Sequence, residues 1–182
     1  MPIIAYLGKD ITDYEKNADK HIDNLDFYCP KHGVKLTIHG TYSRNVKEHN
    51  IILSIYRLGC PDHRCTYTQA IIPDFLQPYK HYSAHEITSV LIEAESDIEP
   101  LAIDSKASIT TIRRWISQYT DILEEKISNL KTIILRKCET VVNEISLPIG
   151  KPMETLHKLL SILPVIHYTN TLGGAFIYAN TK

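Results

Sequence analysis

Two short cysteine knuckles constrain this chain more than any other feature. Cys29-Pro30-Lys31-His32 and, after two strand-like runs, Cys60-Pro61-Asp62-His63-Arg64-Cys65 each open on Cys-Pro and offer a second ligand three residues on. Two intervening residues let the backbone turn back so that both side chains point at one ion, and two such turns close a tetrahedral site around Zn²⁺. The spacing predicts Cys29, His32, Cys60 and His63 as ligands, with Cys65 in reserve. Four protein ligands leave no position for water or substrate, so the metal is expected to be structural. Two plainer readings stand beside this one. The cysteines are small buried hydrophobes and the histidines surface residues, or Cys29 and Cys60 form a disulfide, which a chain without an export signal does not favour.

Between and after the knuckles the residues favour strands. The chain alternates apolar and polar from Val34 through Leu36 and Ile38, passes the polar segment Ser43 to Asn50, and resumes with Ile51-Ile52-Leu53-Ser54-Ile55-Tyr56-Arg57-Leu58. A third run, Thr66 to Ile72, stops at Pro73. Knuckle, hairpin, knuckle and strand are the plan of a zinc ribbon, whose metal supplies stabilisation that so small a sheet lacks. Upstream, residues 8 to 26 mix Asp10, Asp13, Glu15, Asp19, Asp23 and Asp26 with Lys9, Lys16 and Lys20, and read as a solvated arm or short helix.

Pro73 to Tyr79 reads as a fixed linker bracketed by prolines. Ser83-Ala84-His85-Glu86 has the form of a capping box, and Ile87, Val90, Leu91 and Ala94 behind it predict a helix from about Ala84 to Glu95. A short second helix is expected over Pro100 to Lys106, with Ala102 and Ile103 inward. Ser108 is a natural cap for a third, on which Ile112, Trp115, Ile116 and Tyr119 share a face. Short helix, tight turn and a helix with a polar, basic outer face make a helix-turn-helix. It predicts DNA contacts from Thr110, Thr111, Arg113, Arg114 and Ser117. The plainer reading is that the two arginines are solvated charges, because two cations release few counterions.

The words Cys29-Pro30-Lys31-His32-Gly33, His39-Gly40-Thr41-Tyr42-Ser43-Arg44, Tyr56-Arg57-Leu58-Gly59-Cys60-Pro61, Ile72 to Tyr79, Tyr82-Ser83 and Thr111-Ile112-Arg113-Arg114-Trp115 stand in this order. Over about Phe27 to Ile116 the chain resembles an uncharacterised bacterial family. That family pairs a zinc ribbon with a helix-turn-helix and is similar to the N-terminal regions of insertion-sequence transposases. The resemblance implies a metal-bearing DNA-binding module with ligands at Cys29, His32, Cys60 and His63. The chain departs from such ribbons at the second ligand of each knuckle, where they often use Cys.

Downstream, Ile122, Leu123, Ile127, Leu130, Ile134, Cys138 and Val141 recur at spacings of mostly three or four with no Gly or Pro before Pro148, which predicts a long amphipathic helix. Its stripe is internal core or the seam of a homodimer through residues 119 to 145. Met153 to Leu163 predicts another helix, and Leu172 to Tyr178 a strand or a loose tail. Gly173-Gly174 is no phosphate loop, since neither Lys-Ser nor Lys-Thr follows.

A chain of 182 residues with formal charge −1 excludes nucleic-acid binding by bulk electrostatics, so any such function rests on a local patch. No run is apolar enough for a signal peptide or a membrane span, and a cytoplasmic protein is expected. Adjacent Glu124 and Glu125 do not face one another, His81 and His85 lack a third ligand, and Cys138 lacks a visible base, so no enzyme and no small-molecule substrate are predicted. The fold class is α+β: an arm (1–26), a zinc ribbon (27–80), a helix-turn-helix (81–120) and a helical C-terminal region (121–182). The function is non-catalytic DNA binding, transposon-associated or regulatory. The alternative is a protein-protein interaction module, with the ribbon as scaffold and the long helix as its contact surface.

Overall fold

The computed structural model describes residues 2–137 and 147–162. The chain is α+β and divides into two compact units, one ending at Ser83 and the other beginning at Ala84.

The first unit is built on the strand runs seen in the sequence. β2 (Thr37–Val46), β3 (Ile51–Gly59) and β4 (Thr68–Pro73) pair antiparallel, and β1 (Ile3–Ala5) joins β4 in parallel with Ile3 opposite Ile71. The sheet order is β1-β4-β3-β2. A single 3₁₀ turn, Lys47–His49, links β2 to β3 and ends on Asn50 at φ 52, a left-handed conformation that Asn tolerates better than most residues. The register slips between Ile38 and Gly40, which makes His39 the extra residue of a β-bulge. Gly59 lies beneath it: a Cβ there would stand 2.8 Å from the His39 Cβ, so the second knuckle's entry needs glycine.

The acidic stretch near the N-terminus is a helix and not an arm. α1 (Ile11–Asp23) starts at Asp10, whose side chain accepts the Asp13 N–H at 2.8 Å. Tyr14, Ala18 and Ile22, at i, i+4 and i+8, are buried. The Tyr14 hydroxyl donates to the Ser54 carbonyl at 2.8 Å, and its ring meets Tyr56 and Phe75 edge-on. Leu7, Leu53, Ile55, Ile71 and Leu76 are fully buried beside it. This sheet therefore has a core of its own besides whatever a metal contributes.

The second unit is helical. α2 (Ala84–Glu95), α3 (Ile109–Lys137) and α4 (Pro152–Ile162) each pack on the other two. Ile87, Val90 and Leu91 of α2, Trp115, Tyr119, Leu123, Leu130 and Ile134 of α3, and Met153, Leu156, Leu159 and Leu160 of α4 are buried. Of the predicted stripe, Leu123, Leu130 and Ile134 are thus covered within the chain, while Ile122 and Ile127 are half-buried. Ser108 caps α3 as predicted: its Oγ accepts the Thr111 N–H, and its carbonyl accepts the Ile112 N–H at 3.0 Å. α3 runs unbroken across residue 120, so the long amphipathic stretch continues the third helix.

The short helix expected over Pro100 to Lys106 does not form; the segment is turns and bends. Ile103 is buried as expected, but Ala102 is exposed. The Glu86 carboxylate accepts both the Ser105 hydroxyl at 2.7 Å and the Lys106 N–H at 2.9 Å, fixing that backbone in an open turn. A helix-turn-helix joins its helices by three or four residues, whereas here the whole of Ser96 to Ser108 separates α2 from α3. The helix predicted to reach Ile145 is described to Lys137. Cys138 and Val141, Leu163, and the predicted strand or tail at Leu172 to Tyr178 with Gly173-Gly174 lie outside the described residues.

Candidate metal centre

The first knuckle is a tight hairpin. Tyr28 and Lys35 bridge antiparallel, the Cys29 N–H donates to the Val34 carbonyl, and the Gly33 N–H returns to the Cys29 carbonyl at 2.8 Å. Closing so short a loop needs a left-handed residue, which Gly33 supplies at φ +64. His32 is carried over the loop with Nδ1 facing inward, 3.8 Å from the Cys29 Sγ.

The second knuckle departs from the prediction at its second ligand. The Cys65 N–H donates to the Asp62 carbonyl at 2.8 Å, while the Asp62 carboxylate accepts the Arg64 N–H at 2.9 Å. These bonds wind the loop back two residues later than a two-residue spacer would. Cys65 therefore turns inward and His63 sits at the tip, its side chain 89% exposed and its ring 3.9 Å from Asp62. Cys65, the reserve ligand, stands in the cluster where His63 was predicted.

Cys29, His32, Cys60 and Cys65 bring their ligand atoms within 4.8 Å of one another. Cys29 Sγ lies 3.8 Å from Cys65 Sγ, and Cys60 Sγ lies 3.5 Å from His32 Nδ1. A zinc tetrahedron with Zn–S near 2.3 Å and Zn–N near 2.0 Å has S···S edges of about 3.8 Å and S···N edges of about 3.5 Å. The donor set fits zinc in both chemistry and size. It does not fit a disulfide, whose sulfurs stand about 2.05 Å apart, and Cys29, Cys60 and Cys65 are free thiols. Burial works against ionising Cys29, but hydrogen bonds from the amides of Lys31 and His32 and from the Cys60 and Cys65 thiols together outweigh it and bring this thiol down to about 7. Burial pushes Cys60 up to about 11, and its thiol neighbours add to the rise. A dication held by the three sulfurs would replace that mutual repulsion with attraction and favour the thiolate form of each.

The predicted DNA-contacting residues lie in the other unit. Thr110, Arg113, Arg114 and Ser117 are exposed on α3, opposite buried Ile112, Trp115 and Tyr119. Thr111 is half-buried, and its hydroxyl is bonded to Ser108 at 3.0 Å, so it serves the cap. His81 and His85 are exposed, and only His85 is on α2. No described helix is long and apolar enough to cross a membrane.

A family model described as a domain of unknown function (DUF6431) matches residues 29–115, just under half of the chain. The match begins at the first cysteine ligand and ends at Trp115, so it contains all four residues of the cluster. No curated protein and no solved structure matches the chain.

Sequence reasoning missed the role of Arg44. It is 93% buried, and its guanidinium donates to the carbonyls of Gln77 and Lys80. A lone arginine in a strand carries no sign of this, since its partners are backbone groups more than thirty residues away.

Proposed function

We propose that this chain is a non-catalytic nucleic-acid-binding protein of the cytoplasm whose β unit is held by one structural zinc ion. The observation that carries the reading is the Cys29, His32, Cys60 and Cys65 cluster. Four protein donors around one ion would fill a tetrahedron and leave no position for an activated water. A reducing compartment keeps such thiols available to metal.

Support for DNA as the partner comes from the first turns of α3. Arg113 and Arg114 stand exposed beside Thr110 and Ser117, near the positive end of the helix dipole. With a long connection in place of a tight turn, α3 would act as a single helix face and not as the second member of a helix-turn-helix. The resemblance to transposase N-terminal regions supports a transposon-associated or regulatory role. The alternative, a protein-interaction module, draws support from the formal charge of −1. Its long helix has Leu123, Leu130 and Ile134 buried within the chain, which leaves Ile122 and Ile127, both half-buried, as the described apolar residues of that stripe for a partner.

Metal analysis and a salt series test the two halves. About one zinc per chain is expected, lost in Cys65→Ser and kept in His63→Ala. Affinity for duplex DNA is expected to fall steeply with salt and to lose about one unit of salt slope for each of Arg113→Ala and Arg114→Ala. Salt-independent association with protein, and none with DNA, would leave the interaction module as the reading.

A further inference from the structure

Away from the zinc cluster the first unit carries an open cleft of about 460 Å³ beside β2 and β4, closed on one side by the segment from Tyr79 to His81. That segment is firmly pinned. Arg44 donates to the carbonyls of Gln77 and Lys80, the Lys47 N–H donates to the His81 carbonyl at 2.8 Å, and the Ser83 N–H donates to the Glu48 carboxylate. The result is a rigid rim.

Two observations show what the rim presents. Tyr79 is held at φ +61, a conformation bulky residues avoid, and its side chain gains little in return, since the residue is 81% exposed. The fold needs a left-handed residue here, which glycine would supply without strain; the ring is extra. Arg44 also lines the cleft as a buried cation, and among the described residues no carboxylate forms an ion pair with it. Glu48, the acid in its surroundings, is bonded to Ser83. Lys80 and His81 add basic groups, Tyr42 adds a second ring, and no Asp or Glu lines the cleft.

We propose that this cleft binds one nucleoside phosphate unit, its base stacked on Tyr79 and its phosphate drawn to Arg44, Lys80 and His81. Aromatic rings beside fixed cations are the recurrent means of holding unpaired nucleotides, and the volume lies within the range of small-ligand pockets. The inference rests on the nucleic-acid reading above and adds unpaired strand, or its free nucleotide, as the ligand class.

The experiment is fluorescence anisotropy with the zinc-loaded full chain, a labelled thymidine 20-mer as probe, and thymidine monophosphate and inorganic phosphate as competitors. Tyr79→Gly keeps the left-handed turn and removes the ring. It is expected to raise the Tm and to weaken binding of the 20-mer about tenfold, while Tyr79→Phe binds like the wild type. The monophosphate is expected to compete better than phosphate alone. Binding of the 20-mer unchanged in Tyr79→Gly but weakened in the Arg113→Ala, Arg114→Ala double variant would overturn the cleft and leave the α3 reading standing. Tyr79-dependent binding of thymidine monophosphate itself, read by calorimetry, with no binding of the 20-mer, would keep the cleft as a free-nucleotide site and overturn the nucleic-acid reading. Binding of neither would overturn both.

Discussion

The two units of this chain are stabilised by different means. The β unit relies on specific polar geometry: three thiols and an imidazole around one point, an arginine bonded to two carbonyls, and a tyrosine hydroxyl bonded across to β3. The helical unit relies on an apolar stripe, with Trp115, Leu130 and Ile134 buried and its charges turned outward. Interactions of the first kind depend on position to a fraction of an ångström and fail when one partner is lost. Those of the second kind are spread over many contacts and degrade gradually.

Removing the metal gives the sharpest test of that contrast. Chelation, or Cys60→Ser, is expected to abolish zinc binding and free both knuckles, while the ellipticity from the helices persists; circular dichroism followed through a chelator titration checks this. Because α1 and the sheet share an apolar core, the β unit should keep part of its structure, unlike a zinc finger that unfolds outright without metal. Complete loss of strand signal would show that the metal is the only effective staple.

The converse experiment breaks the helical unit and spares the metal. Trp115→Ala is expected to cost about 3–5 kcal/mol by leaving a large cavity, measured by urea denaturation, with zinc content still near one per chain. Gly8→Ala should cost about 1–3 kcal/mol in the β unit, because a Cβ at φ +138 would lie 2.8 Å from the Tyr14 backbone nitrogen. Tyr14→Phe keeps the packing and removes the bond to Ser54, an expected loss of about 1 kcal/mol.

The smallest effect concerns acid. The Lys9 N–H and the Asn17 amide hold the Asp13 carboxyl below its ordinary value of 3.8. A carboxyl with a depressed folded pKa contributes stability that is complete above its unfolded value and lost as pH falls through the folded one. Asp13→Asn should therefore lower stability slightly near neutrality and flatten the profile below about pH 4, where its difference from the wild type disappears, as read from thermal melts across that range.

Much of this was legible in the residues because it is local. Cys29, His32 and Cys60 announce themselves by spacing, β3 by its run of β-branched residues, and α2 and α3 by their apolar period. The α1 stripe of Tyr14, Ala18 and Ile22 was also written in the sequence, but the charges between its members made it read as solvated. β1 left no such signal, since three residues become a strand only by pairing with β4 nearly seventy positions away.

By itself, then, the sequence determined the α+β class, the three local ligands, the Ser108 cap and the long third helix, all of which depend on neighbours within a few residues. Tertiary structure alone decided between His63 and Cys65, because both lie within reach and only the Asp62 turn says which faces inward. It also turned the Pro100 to Lys106 segment into an open turn through Glu86, and buried Arg44 beneath the Tyr79 rim. The last two depend on bonds between groups distant along the chain, and the first on which way a short loop turns toward the other knuckle; periodicity records neither.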